Sequence, residues 1–415
     1  MNISVPSTLS PDYWPFSLEL LPQPAYMVGG AVRDAILSRT REYLDLDFVL
    51  PSKAVKTARK IASHYKAGFV LLDAERQIAR VVFPQATVDF AQQEGDSLTT
   101  DLQRRDFTVN AIAYNPYTQE IIDPLQGYAD LQQRLLRMVS PANLEDDPLR
   151  LMRAYRQAAQ LGFTIESNTQ DTIRSLARCI NKVAAERVRV ELGYMLNSFQ
   201  GTPWLIKAWE DGLLTPFFKY ATKESVSLLP EVDTAASQIA ETWHQLGIEL
   251  SQYIRDTVKT TRLGIAKLAC LVKPEPETAE TELMQLTYSR AEVKAVMTTL
   301  RVLPQLKTSQ LSIREQYFLF QEAGLAFPAI AALAIASETP VGEIAPLITR
   351  YLNPDDLVAH PTSIVSGNDI MIALKIPASP LVGKLLTEIA LAQIEGKVST
   401  ATEAIEFAAG LISDQ

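Results

Sequence analysis

The stretch Tyr26–Val49, reading YMVGGAVRDAILSRTREYLDLDFV, restricts the fold more than any other part of the chain. Its short apolar run Tyr26–Val28 predicts the end of a strand. Gly29 and Gly30 then permit a tight turn that a Cβ would obstruct. Ala31–Ser38 has helical composition, with Arg33 and Asp34 in its first turn. Asp45–Leu50 predicts a second strand. Strand side chains alternate between faces, so Asp45 and Asp47 share one. Two carboxylates on one rigid strand form a hard oxygen site suited to Mg²⁺. A glycine turn opening a helix offers backbone N–H groups to a phosphate. Each feature alone is common, since an Asp-x-Asp strand is usually solvated. Their coincidence in one strand–turn–helix–strand unit predicts a place where a nucleoside triphosphate and a metal meet.

The chain that follows predicts a small α/β domain. Lys53–Tyr65 reads as a surface helix, and Phe69–Leu72, Gln77–Phe83 and Thr87–Phe90 as short strands. Asp89, in ATVDFA, either completes the acidic set of Asp45 and Asp47 or caps a strand end. In DLQRRDFTVNAIA (101–113), a helix over Phe107–Ile112 would put Asp106 and Asn110 on one face. A carboxylate and an amide there can accept from ribose hydroxyls, and Arg105 can reach a triphosphate. The same residues also suit a helix capped by Asp106. Asp123-Pro124 and Gly127 mark a turn before a helix expected to run through Leu131–Leu135.

From about Ser140 the pattern becomes helical. In DDPLRLMRAYR (146–156), Asp147, Arg150, Arg153 and Arg156 step by three along one side of a helix, with Pro148 in its first turn. An acceptor beside a donor matches cytosine, whose amine adjoins N3, and adenine, whose amine adjoins N1. Asp147 would accept from the amine and Arg150 donate to the ring nitrogen, whereas uracil and guanine would leave polar groups unpaired. Arg153 and Arg156 would then serve the triphosphate. A helix with solvated ion pairs has the same spacing. Ala185–Leu192 predicts an amphipathic helix that braces this one. Lys273–Glu282, KPEPETAETE, reads as an acidic linker or loop.

Composition limits the partners. The net charge of −9 argues against bulk attraction to nucleic acid, but residues 130–191 carry ten Lys/Arg against eight Asp/Glu. A nucleic-acid partner would therefore be held by a local patch. Only Cys179 and Cys270 are present, so no disulfide framework is expected. No signal peptide is expected, and the longest apolar stretch, near Phe327–Ala336, is too short to span a bilayer.

GGAVRD followed by LDLDFV resembles the nucleotidyltransferase motif of the polymerase-β-like superfamily, and most closely the bacterial CCA-adding enzyme and poly(A) polymerase family. RRDFTVNAI resembles that family's ribose-recognition motif, and DDPLRLMRAYR its base-reading helix, with Asp146-Asp147 where the usual pattern begins Glu-Asp. Ser366–Glu395 resembles its C-terminal segment. The likeness implies an α+β architecture: a polymerase-β-like head domain (1–140), a base-selecting helical neck (141–200), a helical body (201–330) and a helical, tRNA-binding tail (331–415), together elongated. It also implies a cytoplasmic tRNA nucleotidyltransferase acting on CTP and ATP without a template. Asp45 and Asp47, with Asp89 as a third acid, would hold two Mg²⁺ ions. Gly29, Gly30, Arg33, Arg105, Arg153 and Arg156 would position the triphosphate, Asp106 and Asn110 the ribose, and Asp147 and Arg150 the base. Only AQQEGDSLTTDLQ separates Phe90 from Arg104, and so short a loop resembles the CC-adding branch, which stops before the terminal A. CC addition is therefore placed ahead of complete CCA addition, with an A-adding enzyme or a poly(A) polymerase as alternatives. The competing class is a non-catalytic RNA-binding module, in which decay would strip the metal carboxylates first; both are intact.

Overall fold

The computed structural model describes residues 9–39, 42–256, 258–307 and 311–413. The chain divides into two compact units, one of residues 1–191 and 207–213, the other of residues 192–206 and 214–415.

The first unit begins with β1 (Tyr26–Val28), α1 (Gly30–Ile36), β2 (Leu44–Leu50), α2 (Ala54–Tyr65), β3 (Gly68–Asp73), β4 (Ile78–Phe83), β5 (Ala86–Gln92), α3 (Leu98–Gln103), β6 (Ala113–Asn115) and β7 (Glu120–Ile122). The strands form one mixed sheet in the order β3-β4-β5-β2-β1-β6-β7. Strand β2 runs parallel to β5 and antiparallel to β1. Alternation gives the central strands two unlike faces. Leu46 and Phe48 of β2 lie opposite Val88 and Phe90 of β5, and all four are fully buried. Phe48 and Phe90 stack with centroids 5.7 Å apart, and Trp14 and Phe16 meet them edge-on. Helix α2, apolar at Ala54, Ala58, Ile61 and Ala62, also packs beside β4 and β5 and ends where Lys66 turns left-handed. The other face carries Asp45 and Asp47. Further along that face, Val49 is buried with Val28, Leu102, Ala111 and Ala113, which seats α3 and the chain after it beside the carboxylates.

The expected helix over Phe107–Ile112 is instead one 3₁₀ turn, Thr108–Asn110. The unit continues through α4 (Gly127–Gln133), β8 (Leu135–Leu136), α5 (Pro141–Asp146), α6 (Leu149–Leu161), β9 (Thr164–Ile165), α7 (Ser167–Leu176) and α8 (Ala185–Leu196). Gly127 is required by contact, since a Cβ there would lie 2.2 Å from the Thr108 carbonyl oxygen. Helix α4 does not reach Leu135 as expected. Arg134 adopts a left-handed conformation, and Leu135–Leu136 pair in parallel with Thr164–Ile165.

Among the described residues, the second unit is helical apart from one hairpin. The division falls inside α8 and α9 (Thr202–Glu210), and α10 (Lys223–Thr242) and α11 (His244–Ser251) follow. The hairpin β10 (Tyr253–Arg255) and β11 (Val258–Thr261), which the sequence pattern did not signal, precedes α12 (Arg262–Leu271). Helices α13 (Pro276–Gln285), α14 (Arg290–Val302), α15 (Ile313–Ala323), α16 (Phe327–Ala336), α17 (Val341–Leu352), α18 (Gly367–Leu374), α19 (Pro380–Ile394) and α20 (Ala401–Ser413) complete it. Helix α13 replaces the linker expected at Lys273–Glu282: Pro276 sits in its first turn and Glu277 complements its N-terminal dipole. Helix α16 is buried at every position but Ile335 and packs among α10, α12 and α14. With α15 it makes a helical run, Ile313–Ala336, long and apolar enough to cross a membrane, but 67% of its apolar window is buried in the protein, as in a core helix. Helices α18–α20 close around a cluster of their own that includes Ile370, Leu385, Ile389 and Ala404.

Candidate active site

All the residues singled out for chemistry lie in the first unit. On β2, Asp45 and Asp47 project from the polar sheet face. Asp47 stands opposite Val28 on β1 and Asp89 on β5. Asp89 is occupied, because Arg80 on β4 forks onto it, with Nε 2.7 Å from Oδ1 and Nη2 2.8 Å from Oδ2. Asp45 accepts from the Thr87 hydroxyl at 2.7 Å through Oδ1. Burial pushes the Asp47 carboxyl up to about 7, and the negative charges of Asp45 and Asp89 push the same way against Arg105 and Arg80. Crowded, under-compensated carboxylates of this kind suit a hard divalent cation, with water and phosphate oxygens filling the remaining positions. Among the described residues no group of three or more His, Cys, Asp or Glu is arranged to hold a metal. The donor set that fits one is therefore Asp45 and Asp47, with Asp89 held off by Arg80.

The turn before α1 brings backbone against this pair. Gly29 has φ +73°, and a Cβ there would lie 3.3 Å from Asp47 Oδ2 and 3.5 Å from Arg105 Nη1. Gly30 opens α1, which carries the buried Arg33. Arg33 donates to Asp34 Oδ1 at 2.8 Å and, from Nη1, to Asn110 Oδ1 at 2.7 Å.

Asn110 and Asp106 are joined despite the missing helix, because the 3₁₀ turn closes the same spacing. Asp106 is buried. Its Oδ1 accepts from the Phe107 amide (2.8 Å) and Asn110 Nδ2 (2.9 Å). Its Oδ2 accepts from Arg153 Nε and Nη2 (3.0 and 2.9 Å) and Gln157 Nε2 (3.2 Å). Burial alone would raise this carboxyl, but the Arg153 charge, the Asn110 amide and the Phe107 N–H hold it well below the ordinary range. Gln157 also accepts from Asn110 Nδ2 at 2.9 Å. One polar network thus runs from Arg33 on α1, through Asn110 and Asp106, to Arg153 and Gln157 on α6.

The row on α6 divides. Asp147 precedes the helix in extended conformation; its Oδ1 accepts from the Leu149 amide at 3.3 Å and its Oδ2 from Arg187 on α8 at 3.2 Å. Arg150 donates to the carbonyls of Arg104 (2.9 Å) and Asn143 (3.0 Å). Arg153 turns inward to Asp106. Arg156 turns the other way, to Glu191 on α8 and, at 2.6 Å, to Gln160. Arg105 is held from α3, where Asp101 Oδ2 accepts from its Nη2 at 3.2 Å. Sequence reasoning missed Arg80, Asp101, Asn143, Gln157 and Glu191. The available signal for Gln157 was its spacing of four from Arg153; the others meet their partners only through the tertiary fold.

Three family models match stretches of the chain. The family model "Poly A polymerase head domain" matches residues 25–137, and "Probable RNA and SrmB- binding site of polymerase A" matches 162–224. A model for domain 2 of tRNA nucleotidyltransferases matches residues 256–409. A CC-adding tRNA nucleotidyltransferase of Synechocystis sp. is 50% identical over 398 residues, 95% of each chain. Another, of Geobacter sulfurreducens, is 31% identical over 93% of this chain and 91% of its own. A solved CCA-adding enzyme in complex with CTP superposes with TM-score 0.72 at 20% identity, covering 94% of this chain and 91% of its own, which shows a shared fold.

Proposed function

The chain belongs to the family of bacterial tRNA nucleotidyltransferases and poly(A) polymerases, and from that premise we propose that it adds CMP from CTP to the 3′ end of tRNA without a nucleic-acid template. CC addition comes ahead of complete CCA addition with ATP, given the short segment before Arg104 and the names of the two relatives. The observation that carries the reading is the buried network in which Asp106 and Asn110 link Arg33 beside the acidic strand to Arg153 on the base-reading helix. A metal carboxylate pair and a base-selecting helix joined in one rigid unit are what transfer of a chosen nucleotide requires.

Asp45 and Asp47 would hold Mg²⁺, which would supply charge to the triphosphate and activate the attacking 3′ hydroxyl. Asp89, with both oxygens on Arg80, acts as a third acid by its charge beside Asp47. Gly29 and Gly30 let the backbone approach the triphosphate, and Arg105 faces the same turn. Asp106 and Asn110, whose donors and acceptors are taken up by Arg33, Arg153 and Gln157, support the ribose side of the site as scaffold. Asp147 accepts from the exocyclic amine of cytosine and Arg150 donates to its ring nitrogen, the base taking over from Arg187 and the backbone carbonyls. Arg156, paired with Glu191, contributes positive charge at longer range. The roles of head (1–140), neck (141–200), body (201–330) and tRNA-binding tail (331–415) belong to the same proposal, as does a cytoplasmic site of action.

The test incubates purified protein and Mg²⁺ with tRNA lacking CCA, supplying CTP, ATP or both. Two added C residues are expected, with nothing further when ATP is present. A complete CCA end would make it CCA-adding, and a single A on tRNA ending in CC would make it A-adding. Growth of a long A tail would overturn the tRNA assignment.

A further inference from the structure

The segment between β5 and Arg105 carries a buried carboxylate to which the mechanism above gives no task. Asp101, on α3, is 8% exposed. Its Oδ1 accepts from the Glu94 amide at 3.0 Å, and its Oδ2 accepts from Arg105 Nη2 at 3.2 Å. One acid therefore holds the connecting loop with one oxygen and the arginine beside Gly29 with the other.

The surroundings fix both ends. Ser97 caps α3 by accepting from the Thr100 amide at 3.1 Å. Leu102, one residue beyond Asp101, is fully buried against the sheet with Val28 and Val49. Asn143 Nδ2 donates to the Arg105 carbonyl at 2.8 Å. A second bridge, Glu94 to Arg104 at 2.6 Å, ties the loop to the same stretch. The Arg105 backbone is thus anchored without Asp101, and what Asp101 adds is the direction of the guanidinium. The spacing of four lets the carboxylate reach back over the helix end. With Nη2 held there, Nη1 lies at the Gly29 turn, while the buried Nε has no partner among the described residues. Nη1 is therefore the donor that an anion at the turn would meet, with Nη2 kept on Asp101.

We propose that Asp101 is a positioning residue that aims Arg105 at the triphosphate and couples that aim to the loop through the Glu94 amide. This rests on the nucleotidyltransferase reading above. Asp101 touches no substrate, so its effect is confined to nucleotide binding and works only through Arg105.

The experiment measures CMP incorporation into tRNA lacking CCA, and separately CTP binding by calorimetry, for wild type, Asp101→Asn, Arg105→Ala and the double variant. Asp101→Asn keeps an acceptor for the Glu94 amide and removes the charge facing Arg105. It is expected to raise KM and Kd for CTP about tenfold, the size of one charge-assisted hydrogen bond, while KM for tRNA stays within about twofold. In the Arg105→Ala background the same substitution should change nothing, since coupled residues are non-additive. Should Asp101→Asn lose its thermal transition, Asp101→Ser, which leaves room for a water under the amide, should give the same split. An unchanged CTP affinity, equal losses for CTP and tRNA, or additive losses in the double variant would overturn the inference. A wild type that binds CTP but transfers nothing to tRNA would defeat the proposed function and leave the calorimetric test of Asp101 standing.

Discussion

Asp47 and Asp106 are both aspartates in the same unit, yet their surroundings differ in kind. Asp106 accepts five hydrogen bonds, from Phe107, Asn110, Gln157 and the Nε and Nη2 of Arg153, and its carboxyl is held far below its ordinary range. Asp47 has acids for neighbours on its own strand and the next, and is pushed up to about 7. The fold neutralises one acid completely and leaves the other short of positive charge. Asp106 is therefore set as scaffold before any ligand arrives, whereas the polar face of β2 is set to receive a cation. Rigid support and under-compensation thus sit within one unit, and each predicts a different response to mutation.

The largest effect is expected at the under-compensated acid. Asp47→Ala should lower CMP incorporation by roughly 10³-fold or more, because the cation would lose one of its two protein carboxylates. Binding of tRNA, measured by gel shift, should persist. Appreciable turnover in this variant would remove Asp47 from the metal site and erase the contrast with Asp106.

The next effect tests the compensated acid. Asp106→Ala would strand the Arg153 guanidinium and leave Asn110 and Gln157 without their shared acceptor. Breaking such a pair from one side should cost about 3 kcal/mol, read as a lower transition temperature by about 6–12 °C. A variant as stable as wild type would show that the network is not the support described here.

How much of this contrast could be read in advance depends on the range of the forces involved. The acidic face of β2 follows from alternation alone, and the turn at Gly29 from the need for a residue without Cβ. Both are local, so YMVGGAVRD and LDLDFV disclosed them. The compensation of Asp106 is not local. Its partners Arg153 and Gln157 lie 47 and 51 positions away, and nothing in RRDFTVNAI distinguishes a carboxylate that meets an arginine from one that meets a ribose. The same limit applies to Arg156, whose partner Glu191 lies on a helix read only as a brace. At Lys273–Glu282 the ambiguity is of another sort: proline and acids suit a loop, but at a first turn they start a helix. The Leu135–Leu136 pairing was hidden because two-residue strands have no periodicity to detect.

A smaller effect sharpens the comparison on the neck side. Arg150→Lys removes the planar fork but keeps the charge. It should weaken discrimination between CTP and UTP by about 1–3 kcal/mol if Arg150 reads the base edge. Competition between the two nucleotides in one incorporation assay measures the ratio directly. Unaltered selectivity would confine Arg150 to the backbone carbonyls of Arg104 and Asn143, which it meets here.

The smallest effect is a difference in sign. Because the folded-state value of Asp47 lies above its ordinary 3.8, the folded protein binds more protons than the unfolded chain between about pH 4 and 7. Asp47 therefore makes stability fall as pH rises through that window. Asp106 is shifted the other way: its contribution is complete above pH 4 and is lost only as pH falls below the ordinary carboxylate range. Thermal unfolding of wild type between pH 5 and 8, without divalent cations, should thus show a decline that Asp47→Asn removes. The variant should be the more stable protein near pH 8, by about 2–4 °C for a difference of 1 kcal/mol. Added Mg²⁺ should raise the wild-type transition temperature at pH 8 and leave Asp47→Asn nearly unmoved, since a cation stabilises only the form that binds it. An Asp47→Asn protein that still declines with pH, or responds to Mg²⁺ as wild type does, would locate the uncompensated charge elsewhere on the sheet.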